Sequence, residues 1–142
     1  MPKARKMKVV ANPKDFFKAH QEDAGIDLRI HEDVTLSPDT VQVVSTKVRA
    51  AIPTNCVGLV TLRSSIGARG VIIPNAPGII DPGYTGEILL TLSSLGKKQT
   101  LFAGERVAQL IVMPLQPVNL EYVEKLEGSE RGEGGFGSTG RT

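Results

Sequence analysis

The side chains able to do chemistry in this 142-residue chain fall into a few short runs. The run LRSSIGARG (62–70) sets Arg63 beside Ser64, Ser65 and Gly67. A guanidinium next to two hydroxyls and pliable backbone suits phosphate oxygens. The guanidinium forks onto two of them, and hydroxyls and N–H groups reach the rest. The plainer reading is a turn with a solvated arginine. In NAPGIIDPGYTGEI (75–88), Asp81-Pro82-Gly83-Tyr84 has the order of a type II turn, Pro second and Gly third. Asn75, Gly78 and Gly83 would bracket a tight hairpin whose main chain could read a small planar ring. Tyr84 adds a flat face, and Asp81 would be a carboxylate in a pocket, able to act as general base on a water. Asp at the first turn position is also common for structural reasons alone. In GERVAQLIV (104–112), Gly104-Glu105 reads as a turn opening a buried strand in which Arg106 and Gln109 are polar exceptions. A buried Gln needs partners, either a phosphate oxygen or a backbone group.

The last run is RGEGGFGSTG (131–140), with five glycines, one cation, one aromatic ring and two hydroxyls. From Gly128 to Thr142 there are six glycines and no aliphatic side chain. Alone, such a segment buries too little to offset its ordering entropy. Fully extended, these residues span about 50 Å, enough to reach a neighbouring subunit.

Other chemistries lack their residues. GSTG is not followed by the Lys-Ser/Thr of a phosphate-binding P-loop. There is no GxSxG elbow and no Cys-His arrangement for covalent catalysis. The single cysteine, Cys56, excludes an internal disulfide and a Cys-based zinc cluster, and its apolar surroundings make it a small core residue. His20 and His31 have no metal-ligand spacing. What remains is water attack assisted by a carboxylate and cations, with or without a metal ion.

The elements that must hold these residues are strands. GIDLRI (25–30), VQVVSTKVRAAI (41–52), CVGLVTL (56–62), GVIIP (70–74), EILLTL (87–92) and VAQLIVMPL (107–115) are rich in Val, Ile, Leu and Thr and end at Gly, Pro, Asn or Asp. About nine or ten such runs at ~8–12-residue spacing predict an all-β sandwich or barrel. Only FFKAHQED (16–23) offers a turn of helix. The expected organisation is one β domain over 1–127 followed by a flexible arm over 128–142. The 17 basic and 15 acidic residues leave +2, which gives no reason to expect stable nucleic-acid binding. No apolar run approaches a membrane span, and MPKARKMKVVA lacks the apolar stretch of a secretory signal. A soluble, cytoplasmic protein is expected, encoded by a cell or by something that replicates inside cells.

Taken in order, AGIDL (24–28), RSS (63–65), NAPGIIDPGYTGEI (75–88), GERVAQLIV (104–112) and RGEGGFGSTG (131–140) resemble the five motifs of the trimeric dUTP diphosphatases, the dUTPases. The resemblance runs from Ala24 to Gly140. It implies a jelly-roll-like β subunit of a homotrimer. It also implies Mg²⁺-dependent hydrolysis of dUTP to dUMP and pyrophosphate, which keeps uracil out of DNA and supplies dUMP for dTMP synthesis. Carried over by position, Asp81 is the base that activates water for attack on the α-phosphorus. Asn75 and backbone over Gly78, Ile79, Ile80 and Tyr84, with Leu89, recognise uracil, and Tyr84 excludes a 2′-hydroxyl. Arg63, Ser64, Ser65 and Gln109 hold phosphates, and Asp27 orients waters around an Mg²⁺ held mainly by the triphosphate. In the arm, Phe136 stacks on uracil while Arg131, Gly137, Ser138 and Thr139 grip the γ-phosphate. The arm closes a neighbouring subunit's site.

Two positions depart from the family pattern. Ser65 stands where the second motif usually has Gly, and Gly83 where the third usually has Asp. Both forms are shared with the dCTP deaminases of the same fold. That family carries a catalytic glutamate where this chain has Thr91, and Glu87 lies four residues earlier. A deaminase-like or bifunctional enzyme, or a non-catalytic nucleotide sensor, are the alternatives. A sensor would be expected to lose Asp81 or the arm, and both are present.

Overall fold

Strand residues alternate between core and surface, and that alternation builds two sheets. The computed structural model describes residues 3–140. Its strands are β1 (Val9–Val10), β2 (Ile26–Arg29), β3 (Val34–Leu36), β4 (Gln42–Ala50), β5 (Cys56–Leu62), β6 (Val71–Ile72), β7 (Gly78–Ile80), β8 (Glu87–Ser94), β9 (Gln99–Leu101) and β10 (Arg106–Pro114), with a one-turn helix α1 (Ser64–Gly67) after β5. One sheet has the order β1-β4-β8-β6 and the other β2-β10-β5-β7, with β3-β9 as a separate pair. All pairings are antiparallel. The core lies between the sheets. Ile88, Leu90 and Leu92 enter it from β8, and Leu28, Val60 and Leu110 from the other sheet. This is the all-β sandwich that the strand spacing predicts, in the jelly-roll-like form that the family resemblance implies.

Several expectations need correction. FFKAHQED forms no helix. Asn12 O accepts the N–H groups of Asp15 and Phe16, and Asp23 Oδ2 accepts the N–H of His20 (3.0 Å), so local turns satisfy the backbone. Burial of Phe16 with Phe17 left exposed anchors the segment by one ring. The run after β5 is α1 rather than a simple turn, closed by Ile66 N–H and Gly67 N–H on Arg63 O (both 3.0 Å). The strand expected over 70–74 shortens to two residues, since only Val71 and Ile72 find partners on β8.

The run 75–88 is not a hairpin. β7 pairs with β5 and β8 pairs with β4 and β6, so the two strands flanking the Asp81 turn lie in different sheets. The turn closes through Tyr84 N–H on Asp81 O (3.1 Å). Gly83 does not have positive φ, so the turn is not type II. Contacts just beyond the turn set its path. Arg49 Nε donates to Thr85 O (2.9 Å) and Tyr84 Oη to Glu87 O (2.6 Å), drawing the chain across to the second sheet.

β4 carries an irregularity between Ser45 and Arg49 in its pairing with β8. There Lys47 adopts φ +58°, uncommon for a residue with a Cβ. Buried Thr46 secures the bulge by donating to Ile88 O (2.7 Å), while Ser45 Oγ accepts Lys47 N–H (3.0 Å). β10 ends at Pro114, and residues 115–140 contain no helix or strand. Leu120, Tyr122 and Leu126 are exposed along this segment.

Candidate active site

Because the Asp81 turn crosses between sheets, it leaves a cavity at their seam, of about 200 Å³. Its wall is Asn75, Gly78 and Ile79 on one side and Tyr84, Leu89 and Thr91 on the other, with Val60 of β5 beneath. Pockets for drug-sized ligands run to ~300–1,000 Å³, so this one suits a single ring. Gly78 lets the chain lie close to β5, since a Cβ there would sit 3.3 Å from Val60 Cβ. Thr91 Oγ1 donates to Asn75 Oδ1 at 2.6 Å. Glu87 accepts a 2.5 Å hydrogen bond from Ser45 Oγ, which fixes it against β4. The Tyr84 ring lies over Gly86, where a Cβ would be 2.8 Å from Cζ. Asp81 directly follows Ile80, a buried lining residue, and is itself exposed and outside the lining. Among the described residues no cation pairs with its carboxylate, which leaves its oxygens open to a water.

A second cluster forms where β2, β10 and the end of β5 meet. Asp27 pairs with Gln109, and Gln109 with Thr61, in register across the three strands. Arg63 Nε lies 3.6 Å from Asp27 Oδ1, and Arg106 Nη1 3.1 Å from Oδ2. Two guanidiniums on one carboxylate leave a net charge of +1, suited to an anion. The groups are about one-third to one-half exposed, so the pairs themselves stabilise the fold little. Gln109 Nε2 donates to Leu62 O (3.4 Å), so its partner in this structure is a backbone group. Gly25 has no room for a side chain, because a Cβ would overlap Gln109 Oε1. A hollow of about 280 Å³ lies here, lined in part by Asp23, Gly25, Asp27 and Gln109. Ser64 and Ser65 stand exposed at the start of α1 beside it in sequence.

The two clusters do not meet within one chain. Ile80 pairs with Gly58, whereas Arg63 lies five residues further along (58 to 63), about 17 Å at strand spacing. Among the described residues, none is shared between the linings of the two hollows. Arg131, Phe136, Gly137, Ser138 and Thr139 line neither, and the Phe136 ring is fully exposed. The arm nevertheless holds local turns. Arg131 Nε donates to Gly134 O (2.6 Å), Ser138 N–H to Gly135 O (2.9 Å), and Gly137 has φ +86°. Phe136 itself sits at φ +35°.

Sequence reasoning does not pair Thr91 with Asn75, Arg106 with Asp27, or Ser45 with Glu87. The partner of Glu87 lies 42 residues away on another strand, beyond the reach of local pattern. The extra polar residue in GERVAQLIV is the one signal for Arg106.

These features define a jelly-roll-like β protein with a one-ring cavity and a separate anion-type cluster. The family model for dUTPase matches residues 12–140, and the chain belongs to the dUTPase family. It is 41% identical over 128 residues to a deoxyuridine 5'-triphosphate nucleotidohydrolase of Corynebacterium glutamicum, covering 88% of this chain and 86% of that protein. The corresponding protein of Cutibacterium acnes is 47% identical over 121 residues, covering 83% and 80%. Among solved structures, the dUTPase of Staphylococcus bacteriophage 80alpha with dUPNHPP superposes with a TM-score of 0.82 at 31% identity, covering 97% of this chain and 100% of that one. A mutant dUTPase of phage phi11 of S. aureus, studied for the coordination of a structural Mg(II) ion, shares the fold at 24% identity and a TM-score of 0.73, with 87% of this chain and all of that one covered.

Proposed function

We propose that this chain hydrolyses dUTP to dUMP and pyrophosphate, with Asp81 taking a proton from the attacking water. The observation that carries this reading is the one-ring cavity with an uncommitted carboxylate on the exposed residue that follows its lining residue Ile80. Uracil would occupy the cavity beside Asn75 and the backbone of Gly78–Ile80, and the deoxyribose would lie against Tyr84. The sugar's 5′ side then leads out past Asp81. The water oxygen bonds to the α-phosphorus as its proton passes to Asp81. The bond from that phosphorus to the α–β bridging oxygen breaks, and its electron pair leaves with pyrophosphate.

The phosphates need positive charge and hydrogen-bond donors, and the cluster of the Arg63 guanidinium with Ser64, Ser65 and Gln109 supplies them from a place that one chain holds away from its own Asp81. A homotrimer with sites shared between subunits brings the two half-sites together and lets the arm (128–142) of a further chain close over the substrate. Phe136 would stack on the base, with Arg131, Gly137, Ser138 and Thr139 on the γ-phosphate. Glycines at Gly132 and Gly137 permit the positive φ that such close approach uses.

Among the described residues, no three His, Cys, Asp or Glu side chains form a metal cage. A single carboxylate such as Asp27 suits an Mg²⁺ that binds through substrate phosphates and keeps several waters. The triphosphate would hold the ion, and Asp27 would accept hydrogen bonds from its waters. Bound there, Mg²⁺ neutralises phosphate charge and fixes the chain's geometry. Among the described residues no helix is long and apolar enough to cross a membrane. An intracellular nucleotide pool is the proposed setting.

Pyrophosphate release from dUTP, dCTP, dTTP and UTP, with and without Mg²⁺, tests the reading, with products resolved by chromatography. Mg²⁺-dependent release from dUTP alone, giving dUMP, is expected. Ammonia from dCTP, or binding of dUTP without turnover, would overturn it.

A further inference from the structure

Among the described residues, Asn75 carries the only side-chain amide in the cavity lining. An amide presents two different faces of nearly the same shape: an oxygen that accepts and an NH₂ that donates. Which face meets a bound ring decides which ring is preferred. In this structure Asn75 Oδ1 accepts a 2.6 Å hydrogen bond from Thr91 Oγ1. Thr91 is half-buried on β8, in register with Val43 of β4, so its backbone is held on the sheet. With the oxygen turned to Thr91, the Nδ2 hydrogens are the groups left for the base. A flipped amide would lose this short bond and turn its oxygen to the base instead.

Resting on the reading of this cavity as a pyrimidine site, we propose that Thr91 is a positioning residue for base selection. Its hydroxyl holds the Asn75 amide so that donors face the ring. A 4-oxo pyrimidine such as uracil presents an acceptor at that edge, and a 4-amino pyrimidine such as cytosine presents a donor. Two opposed donors leave both unpaired once the bound ring excludes water from between them, which costs affinity. Thr91 therefore acts on discrimination between dUTP and dCTP without touching the reacting phosphorus.

The test compares Thr91→Val, Thr91→Ser and the parent protein. Each is assayed for kcat and KM with dUTP and dCTP, and for binding of dUMP and dCMP by calorimetry. Removing one neutral hydrogen bond is expected to shrink the dUTP-over-dCTP preference by about 3–10-fold in Thr91→Val. The loss should fall on KM for dUTP, with kcat retained because Asp81 and the phosphate cluster are unchanged. Thr91→Ser, which keeps the hydroxyl, restores the parent ratio. Asn75→Asp is a second probe. Its carboxylate keeps an acceptor toward Thr91 and presents another to the base, which shifts preference toward dCMP. A merely structural Thr91 would weaken both nucleotides alike, so an unchanged ratio in Thr91→Val overturns the proposal. An unchanged ratio in Asn75→Asp does the same should Thr91→Val not fold. The monophosphate binding ratios need no turnover. Failure of hydrolysis and failure of this proposal are therefore read separately.

Discussion

Asp81 stands exposed, hydrogen-bonded through its carbonyl to Tyr84 and uncommitted through its carboxylate among the described residues. Asp81→Asn keeps the size and removes the base. Turnover of dUTP is expected to fall by about 10²–10⁴-fold while calorimetric binding of dUTP persists. Retained turnover would take Asp81 out of its role. The two glycines after it behave differently. A Cβ at Gly83 meets nothing within 4 Å and φ there is not positive, so Gly83→Ala should leave folding and activity of the subunit's cavity intact. A Cβ at Gly86 would sit 2.6 Å from Tyr84 Oη. Gly86→Ala must displace that ring and break its bond to Glu87 O. The expected outcome is a smaller preference for dUTP over UTP, by about tenfold, because Tyr84 no longer closes the sugar's 2′ side. The kcat/KM ratio for the two nucleotides checks this.

Two elements carry features that their residues alone do not advertise. At the β4 bulge Lys47 holds a left-handed conformation that costs a side-chain-bearing residue about 1–2 kcal/mol. Glycine removes that strain but gains freedom in the unfolded chain. Lys47→Gly is therefore expected to stabilise the protein by a net ~0.5–1 kcal/mol, measured by urea unfolding. A loss of stability would show that the lysine makes a compensating contact. The arm is the second such element. The last buried residue of the core cluster is Leu110, and among the described residues none from 128 onward is in it. Deleting residues 128–142 should leave the unfolding transition in place and reduce kcat by about 100-fold, since the substrate is no longer held in line. Loss of the folded protein would make the arm structural.

At the scale of the whole molecule, the separation of the two half-sites along β5 sets the strongest expectation. If sites are shared between subunits, Asp81→Asn and Arg63→Ala lesions fall in different chains of a mixed trimer. Each variant alone should be nearly inactive. Unfolding and refolding them together at equal amounts should restore about one quarter of the parent activity, because a quarter of the sites draw an intact half from each chain. A site built within one chain gives no recovery on mixing.

Much of this was legible in the sequence. The Val- and Leu-rich run 56–62 coincides with β5, because its alternating pattern leaves one face for the core whatever the neighbours are. Cys56 is buried as its apolar surroundings predict. The five motifs single out Asp27, Arg63, Asn75, Asp81, Gln109 and the arm as candidates, since each motif has particular side chains at fixed short spacing. Short-range pattern, however, does not choose strand partners. The run 75–88 reads as a hairpin, yet β7 pairs with β5 and β8 with β4, which lie in different sheets. The turn therefore opens a cavity at the seam. The same long-range pairing brings Thr91 to Asn75 and Arg106 to Asp27 across gaps of 16 and 79 residues. It also holds Arg63 away from Asp81. The sequence by itself determined which groups are available and that they sit on strands. Only the tertiary structure decided which groups meet, because pairing and packing depend on contacts that local composition does not encode.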